Sequence, residues 1–308
     1  MVLKDNCGRP LLNLRVAVTR KCNLRCSYCH GEGEQKSEYS NSQMTADEIT
    51  RVIRIAATLG VKGIKLTGGE PLMRRDIVEI VKKVAATRGL TDLSMTTNGT
   101  LLSHVARDLR KAGLKRVNIS LPTLDREIFF KLTGGEVQDA VSGVKAAVAA
   151  GFRPVKLNML LLRDINNSSV SEMVEFAKET GTILQLIELE PINMNDTFYL
   201  ANHVSLDRYD EMLKEKALKV ETRRFMQNRQ VYHLSDVVVE VVRPIENTEF
   251  CLHCSRLRIT SDGKLKPCLM RNDNLTDILT PLRNGASDEQ LAELFKQANQ
   301  NREPFNKN

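Results

Sequence analysis

Six of the seven cysteines in this 308-residue chain fall into two triplets, and their spacing gives them chemistry. Cys22, Cys26 and Cys29 lie in Lys21-Cys-Asn-Leu-Arg-Cys-Ser-Tyr-Cys-His30, separated by three residues and then by two. Three thiolates so close can wrap one face of an iron–sulfur cube yet ligate only about three of its four irons, leaving one open to an outside ligand. A structural zinc site wants four ligands, and the nearest fourth is His30, adjacent to Cys29 and poorly placed to close a tetrahedron. The second triplet, Cys251, Cys254 and Cys268, is separated by two residues and then by thirteen. Ser261-Asp-Gly-Lys264 between two short extended runs reads as a hairpin that folds Cys268 back beside the pair. Here His253 is a candidate fourth ligand, so a zinc hairpin stands open beside a second cluster with a free iron. Cys7 stands alone and reads as incidental.

Composition narrows what these sites serve. A hydrophobic content of 42% supports one large α/β domain or two smaller ones. No stretch approaches the ~18 apolar residues of a membrane span, and Met1-Val-Leu-Lys-Asp5 lacks the charged-then-apolar start of an export leader. A cytoplasmic chain is therefore expected, in which cysteines do metal or redox work and not disulfide bonding. The 45 basic and 38 acidic residues leave a mild +7, compatible with an anionic small molecule. Without Trp, and without basic runs interleaved with aromatics, nucleic acid is the weaker partner.

Regular elements must position the cysteines. Six short runs read as strands: Leu14–Thr19, Gly63–Thr67, Asp92–Thr96, Arg116–Leu121, Val155–Leu161 and Ile183–Glu188. Between them lie helical stretches at Ala46–Leu59, Ile77–Arg88, Leu102–Ala112, Asp139–Ala150 and Val170–Glu179, the first opened by a Thr45-x-x-Glu48 capping box. Repeated strand–helix units need crossovers and hence a parallel sheet, most economically a partly closed barrel. Strands buried on both faces would be apolar throughout, but these alternate. Arg15, Lys65, Ser94 and Thr96, Asn118 and Ser120, Lys156 and Asn158, and Gln185 share one phase; leucines, valines and isoleucines fill the other. With helices over the apolar face, the polar face encloses a cationic chamber. Beyond about Glu190 the pattern changes to a helix near Leu206–Leu218, strands at Gln230–Leu234 and Val237–Val242, and the second triplet.

The first triplet, with Tyr28 before its last cysteine, resembles that of the radical S-adenosylmethionine (SAM) enzymes. Both triplets with Arg256 and Arg258 resemble more narrowly the GTP 3',8-cyclases that open molybdenum-cofactor biosynthesis. The likeness runs from Asn13 to Leu269 through Leu14-Arg-Val-Ala-Val-Thr19, Lys65-Leu-Thr-Gly-Gly-Glu-Pro-Leu-Met-Arg-Arg-Asp76, Thr96-Thr-Asn-Gly99 and Asn118-Ile-Ser-Leu121. It implies a partial (βα)6 barrel over 13–190, after a segment 1–12, and a 191–308 extension carrying a second 4Fe–4S cluster. In such an enzyme a 5'-deoxyadenosyl radical takes the ribose 3' hydrogen of GTP, and C3' attacks guanine C8 to give 3',8-cyclo-7,8-dihydro-GTP.

Residue by residue, the resemblance assigns Cys22, Cys26 and Cys29 to the SAM cluster, and Tyr28, Gly69 and Ser120 to SAM itself. Cys251, Cys254 and Cys268 would hold the second cluster, whose free iron meets guanine. Arg15, Lys65, Thr96, Lys156, Arg256, Leu257 and Arg258 would hold GTP, with Arg256 and Arg258 also counted in the catalytic set. Implied partners are a protein reductant and a downstream pterin-forming synthase; a homodimer is compatible. Relatives commonly end in Gly-Gly, where this chain reads Pro304-Phe-Asn-Lys-Asn308, and Glu190 stands where they often have Phe-Met near SAM. The competing readings are another radical SAM enzyme with an auxiliary cluster, such as a peptide-modifying maturase, and a zinc-stabilised nucleic-acid-binding protein.

Overall fold

Alternating polar and apolar residues resolve, in a computed structural model describing residues 2–34 and 43–306, into one curved sheet with two unlike faces. Its first six strands are β1 (Asn13–Ala17), β2 (Gly63–Thr67), β3 (Asp92–Thr97), β4 (Arg116–Ser120), β5 (Val155–Leu160) and β6 (Ile183–Ile187). They match the expected strands to within two residues at each end. The helices between are α1 (Ala46–Thr58), α2 (Ile77–Ala85), α3 (Leu102–Lys111), α4 (Arg126–Thr133), α5 (Val137–Ala149) and α6 (Val170–Thr180). Helix α4 goes beyond the sequence-based expectation. Both halves of the capping box at Thr45 and Glu48 are present.

The chain beyond 190 does not stand apart from this sheet. After α7 (Asp196–Asn202) and α8 (Asp207–Lys216) come β7 (Lys219–Arg223), β8 (Arg229–His233) and β9 (Val238–Val242). Then follow α9 (Thr248–Leu252), β10 (Arg256–Ile259), β11 (Lys264–Lys266), β12 (Thr276–Asp277), α10 (Leu279–Arg283) and α11 (Asp288–Gln300). The twelve strands run in the order β12-β11-β10-β1-β2-β3-β4-β5-β6-β9-β8-β7. The run from β10 to β9 is parallel throughout, and antiparallel hairpins cap both flanks. The extension therefore lengthens the barrel wall at both edges. Among the described residues no helix is long and apolar enough to cross a membrane.

The core lies between the convex face and the helices. Leu14, Val16, Ile64, Leu66, Leu93, Met95, Val117, Ile119, Leu157, Met159, Leu184 and Leu186 are buried there in one cluster with the helices' apolar stripes. Helices α3 and α5 pack tightly because Gly143 of α5 rides on the turn at Gly99: a Cβ on Gly143 would sit 2.1 Å from the Gly99 carbonyl oxygen. That turn follows Asn98, which contacts the first cysteine loop, so overpacking there strains the site as well as the core. Gly143→Ala should lower stability by about 2–3 kcal/mol in denaturant unfolding, whereas Ala146→Gly on the same helix should cost about 1 kcal/mol or less.

Candidate functional site

The inward face encloses a cavity of about 270 Å³ lined by Arg15, Lys65, Thr96, Asn118, Ser120, Lys156, Asn158 and Gln185 from six consecutive strands. The chamber expected from alternation is present, and Tyr28 and Gly69 also face it. Of its Lys and Arg side chains, Arg15, Lys65, Arg116, Lys156, Arg229, Arg256 and Arg258 outnumber the two lining carboxylates, Glu32 and Glu190. Leu257 is the exception among the assigned residues. It is fully buried in the apolar core, because alternation along β10 turns it away from its neighbours Arg256 and Arg258.

Cys22, Cys26 and Cys29 stand at this cavity, on the loop leaving the C-terminal end of β1. The loop is held from three sides. Its amides at Arg25 and Ser27 donate to the carbonyls of Thr133 and Leu132, at 2.8 and 2.9 Å, at the end of α4. Asn98 Nδ2 donates to Asn23 Oδ1 at 2.9 Å and reaches the Cys22 sulfur at 3.9 Å, while the Leu24 amide donates to that sulfur at 3.4 Å. On the third side is the Gly68-Gly69-Glu70 turn. A Cβ on Gly69 would lie 2.4–2.5 Å from the carbonyl oxygens of Lys21 and Arg20, so this glycine is required by the cysteine loop's own backbone. Buried Glu70 ties that turn to β3, accepting from Thr97 Oγ1 and the Asn98 amide, both at 2.7 Å.

The second triplet occupies the other end. Cys254 lies just before the start of β10, and β11 returns antiparallel to bring Cys268 back beside it, as the hairpin reading expects. Cys251, Cys254 and Cys268 line a smaller cavity of about 60 Å³. Glu190, Gln227, Pro244, Phe250, Arg256, Arg258 and Leu269 line both cavities, so the two sites share a wall. Strands of five residues put the two ends of a barrel wall roughly 15 Å apart.

The donor sets fit iron better than zinc. His253 does not face the second cavity; its Nδ1 lies 3.3 Å from the Glu249 carboxylate, which removes the fourth zinc ligand. His30 Nδ1 accepts from the Glu32 amide at 3.0 Å. Among the described residues no three His, Cys, Asp or Glu side chains converge to hold a single metal ion. Burial, then the neighbouring Cys29 and Cys22, push the Cys26 thiol up to about 12. A metal bound by such a thiol would displace its proton. The chamber also holds an orphan: Thr96 Oγ1 is buried without a hydrogen-bond partner.

Two carboxylates that sequence reasoning missed organise the cations. Glu32, on the short turn after Cys29, accepts from Arg258 at 2.8 Å and lies 3.4 Å from Arg15. Burial would raise its pKa, but Arg15 and Arg258 overcome that and hold it at about 2. Glu240 of β9, buried beside Gln185 of β6, pairs with Lys156 and Gln185 and lies 3.2 Å from Arg223 and 3.6 Å from Arg229. Burial draws Lys156 down to about 8 despite that partner. Lys65 donates to Asn118 at 2.6 Å, and Asn118 donates to Gln185 at 2.8 Å, so a polar chain crosses from β2 to Glu240. Lys65 is held well below its usual range by burial and then by Arg116, Arg15, Arg256 and Lys156. Arg256 differs from the rest: no hydrogen bond or ion pair to its guanidinium is found among the described residues, and burial followed by Arg229 and Arg15 draws its pKa far down. It faces the shared wall, the unneutralised cation between the two triplets.

Comparison with known proteins agrees with this geometry. Residues 16–177 match the Radical SAM superfamily, and residues 182–307 match Molybdenum Cofactor Synthesis C. The chain is 47% identical over 310 residues to a probable GTP 3',8-cyclase of Pyrococcus horikoshii, covering 99% of this chain and 98% of that protein. It is 43% identical over 303 residues to a probable GTP 3',8-cyclase of Methanococcus vannielii, covering 98% and 99%. Among solved structures, Streptococcus suis SuiB bound to S-adenosylmethionine shares the fold at a TM-score of 0.66 and 18% identity, over 88% of this chain and 64% of SuiB. Sharing a nearly full-length match with the cyclases, the chain belongs to the radical SAM superfamily and, within it, to the GTP 3',8-cyclase family.

Proposed function

We infer that this chain is a GTP 3',8-cyclase, holding one 4Fe–4S cluster on Cys22, Cys26 and Cys29 and another on Cys251, Cys254 and Cys268. The observation that carries the reading is the chamber itself: a thiol triplet at each end, with the unpaired cation Arg256 on the wall between them. Near-full-length likeness to the cyclases excludes the maturase and zinc-protein alternatives. With SAM held at the first triplet, the chemistry available would be a 5'-deoxyadenosyl radical able to take the ribose 3' hydrogen of GTP, so that C3' would join guanine C8 in 3',8-cyclo-7,8-dihydro-GTP.

The protein's part is position and charge. Tyr28, Gly69 and Ser120 line the chamber together with the first triplet, which supports their reading as the SAM side. Arg15, Lys65, Thr96, Arg256 and Arg258 line the substrate side, where guanidiniums match phosphate oxygens in bidentate fashion. A unit-charge pair at ~4 Å is worth ~1 kcal/mol in water but ~4 kcal/mol at an effective dielectric near 20. The Thr96 hydroxyl has the free valence that a substrate oxygen would fill. Lys156 is committed to Glu240, so its part is to shape the floor and not to grip phosphate. Only one ribose carbon can stand at near-attack distance, roughly 3–3.5 Å, from the radical carbon. Cleavage of SAM takes one electron, and ring closure ends by taking up one electron and one proton. A protein reductant in the cytoplasm would supply both electrons, and a pterin-forming synthase would consume the product.

Three outcomes test this reading. Anaerobic turnover with GTP deuterated at the ribose 3' carbon should place deuterium in 5'-deoxyadenosine; unlabelled 5'-deoxyadenosine with label retained in GTP would overturn the cyclase assignment. Cys26→Ala should abolish SAM cleavage and halve the iron, while Cys268→Ala should halve the iron yet leave uncoupled SAM cleavage measurable. By calorimetry, Arg256→Ala should weaken GTP binding about 10- to 100-fold, the loss of a charged hydrogen bond. Lys156→Ala should weaken it less than about tenfold while lowering the melting temperature, because it removes one buried partner of Glu240 and leaves Arg223 and Arg229 to carry that charge.

A further inference from the structure

A second buried ion cluster lies outside the chamber, built from the two ends of the described chain. Asp5, Arg9 and Arg302 have side chains 0%, 6% and 1% exposed. Asp5 Oδ2 accepts from Arg9 Nε at 2.7 Å and stands 3.6 Å from Arg302 Nη1, while Asp5 Oδ1 takes the amides of Cys7 and Arg9 at 3.0 and 2.9 Å. The carboxylate is thus fully used in aiming two guanidiniums. Both point at the second cysteine loop: Arg9 Nη1 donates to the Cys251 carbonyl at 2.8 Å, and Arg302 Nη2 donates to the Cys254 carbonyl. Arg302 is steadied further by Asn299 Oδ1 at 2.9 Å, and both arginines line the second cavity.

A buried ion pair seldom adds net stability over apolar residues of the same size, so this cluster is poorly explained as a stabiliser. Its geometry has a narrower use. Two planar forks, fixed on one carboxylate, hold the carbonyls of two thiol-bearing residues in set positions and place net positive charge beside them. Hydrogen bonds and charge around cluster thiolates are levers on reduction potential.

We propose that Asp5, Arg9 and Arg302 are positioning residues for the second iron–sulfur cluster, fixing the Cys251–Cys254 loop and setting the charge that the cluster experiences. The proposal rests on the reading that this triplet binds a cluster. Two charges of one sign and one of the other leave a net positive site; Arg302→Met removes that excess, and Asp5→Asn adds to it. The reconstituted enzyme and these variants would be compared by iron content and by redox titration of the cluster signal that does not respond to SAM. Arg302→Met should lower that cluster's potential and Asp5→Asn should raise it, with the SAM-responsive signal unmoved in both. Arg9→Lys, a milder change that keeps the charge and loses the fork, should leave the potential in place while a chelator strips the second cluster several-fold faster. It keeps the test open where the other two variants fail to fold. Potentials that stay put or move in the same direction would overturn the proposal, as would unchanged chelator release from Arg9→Lys. If the unmodified protein takes up about four irons and not about eight, the cluster reading of the second triplet fails first.

Discussion

The parallel pairing of β10 with β1 is the constraint on which the site depends. Its register sets Asn13 against Arg256 and Arg15 against Arg258, so three arginines from distant parts of the chain share one inward face. Because the strands are parallel, the loop leaving β1 and the loop entering β10 lie at opposite ends of the wall. The two triplets are held apart by the length of a strand, and the space between them becomes the chamber. An antiparallel pairing would have put both cysteine loops at one end. With the triplets separated, a molecule large enough to span the chamber can face one triplet at one end and the other triplet at the other.

The chamber is charged, and its charges are managed. Burying a cation is costly unless a partner or ligand takes part of the burden. Glu240 carries that burden for Lys156, and Glu32 for Arg15 and Arg258. Among the described residues no ion pair is found for Lys65, which donates to the neutral Asn118, or for Arg256, where burial and neighbouring guanidiniums press against the charge. A polyanion in the chamber would partner those buried cations, and part of its binding energy would come from that pairing. Glu190 faces the same wall and stands within the field of Arg15, which sets the chamber's second lining carboxylate near its cations.

Much of this was legible in the residues. The polar phase of six strands predicted the lining because a strand's period of two leaves little freedom once one face is apolar. The same rule should have excluded Leu257 and included Arg116, which lies two residues before Asn118 and lines the chamber. Glu32 and Glu240 were harder to foresee. Glu32 sits in a turn with no periodicity to betray its direction, and its partners are β1 and the far-off β10. Glu240 did leave a signal, as the lone charge in Val-Val-Glu-Val-Val, but its pairing with Lys156 depends on β9 joining the sheet beside β6. Long-range strand order is what a local reading cannot supply. Helix α4, which braces the first cysteine loop, follows Asp125, whose side chain caps it from the Ile128 amide.

The placement of β10 also dictates when the wall beside the first site can be completed. Cys22, Cys26 and Cys29 are made early, yet the turn that follows them is fastened to Arg258 and, through Glu34, to the Ser261 amide and hydroxyl, both at 2.7 Å. On a ribosome, where chains emerge N-terminus first, those fastenings arrive only when most of the polypeptide has been synthesised. Until then β1 lacks its β10 neighbour and the turn after Cys29 lacks its far anchor, while the cysteine loop itself rests on α4, Asn98 and the Gly69 turn. Completion of the wall beside the first triplet is thereby made a late event in the life of the nascent chain, tied to the segment that carries Cys251, Cys254 and Cys268.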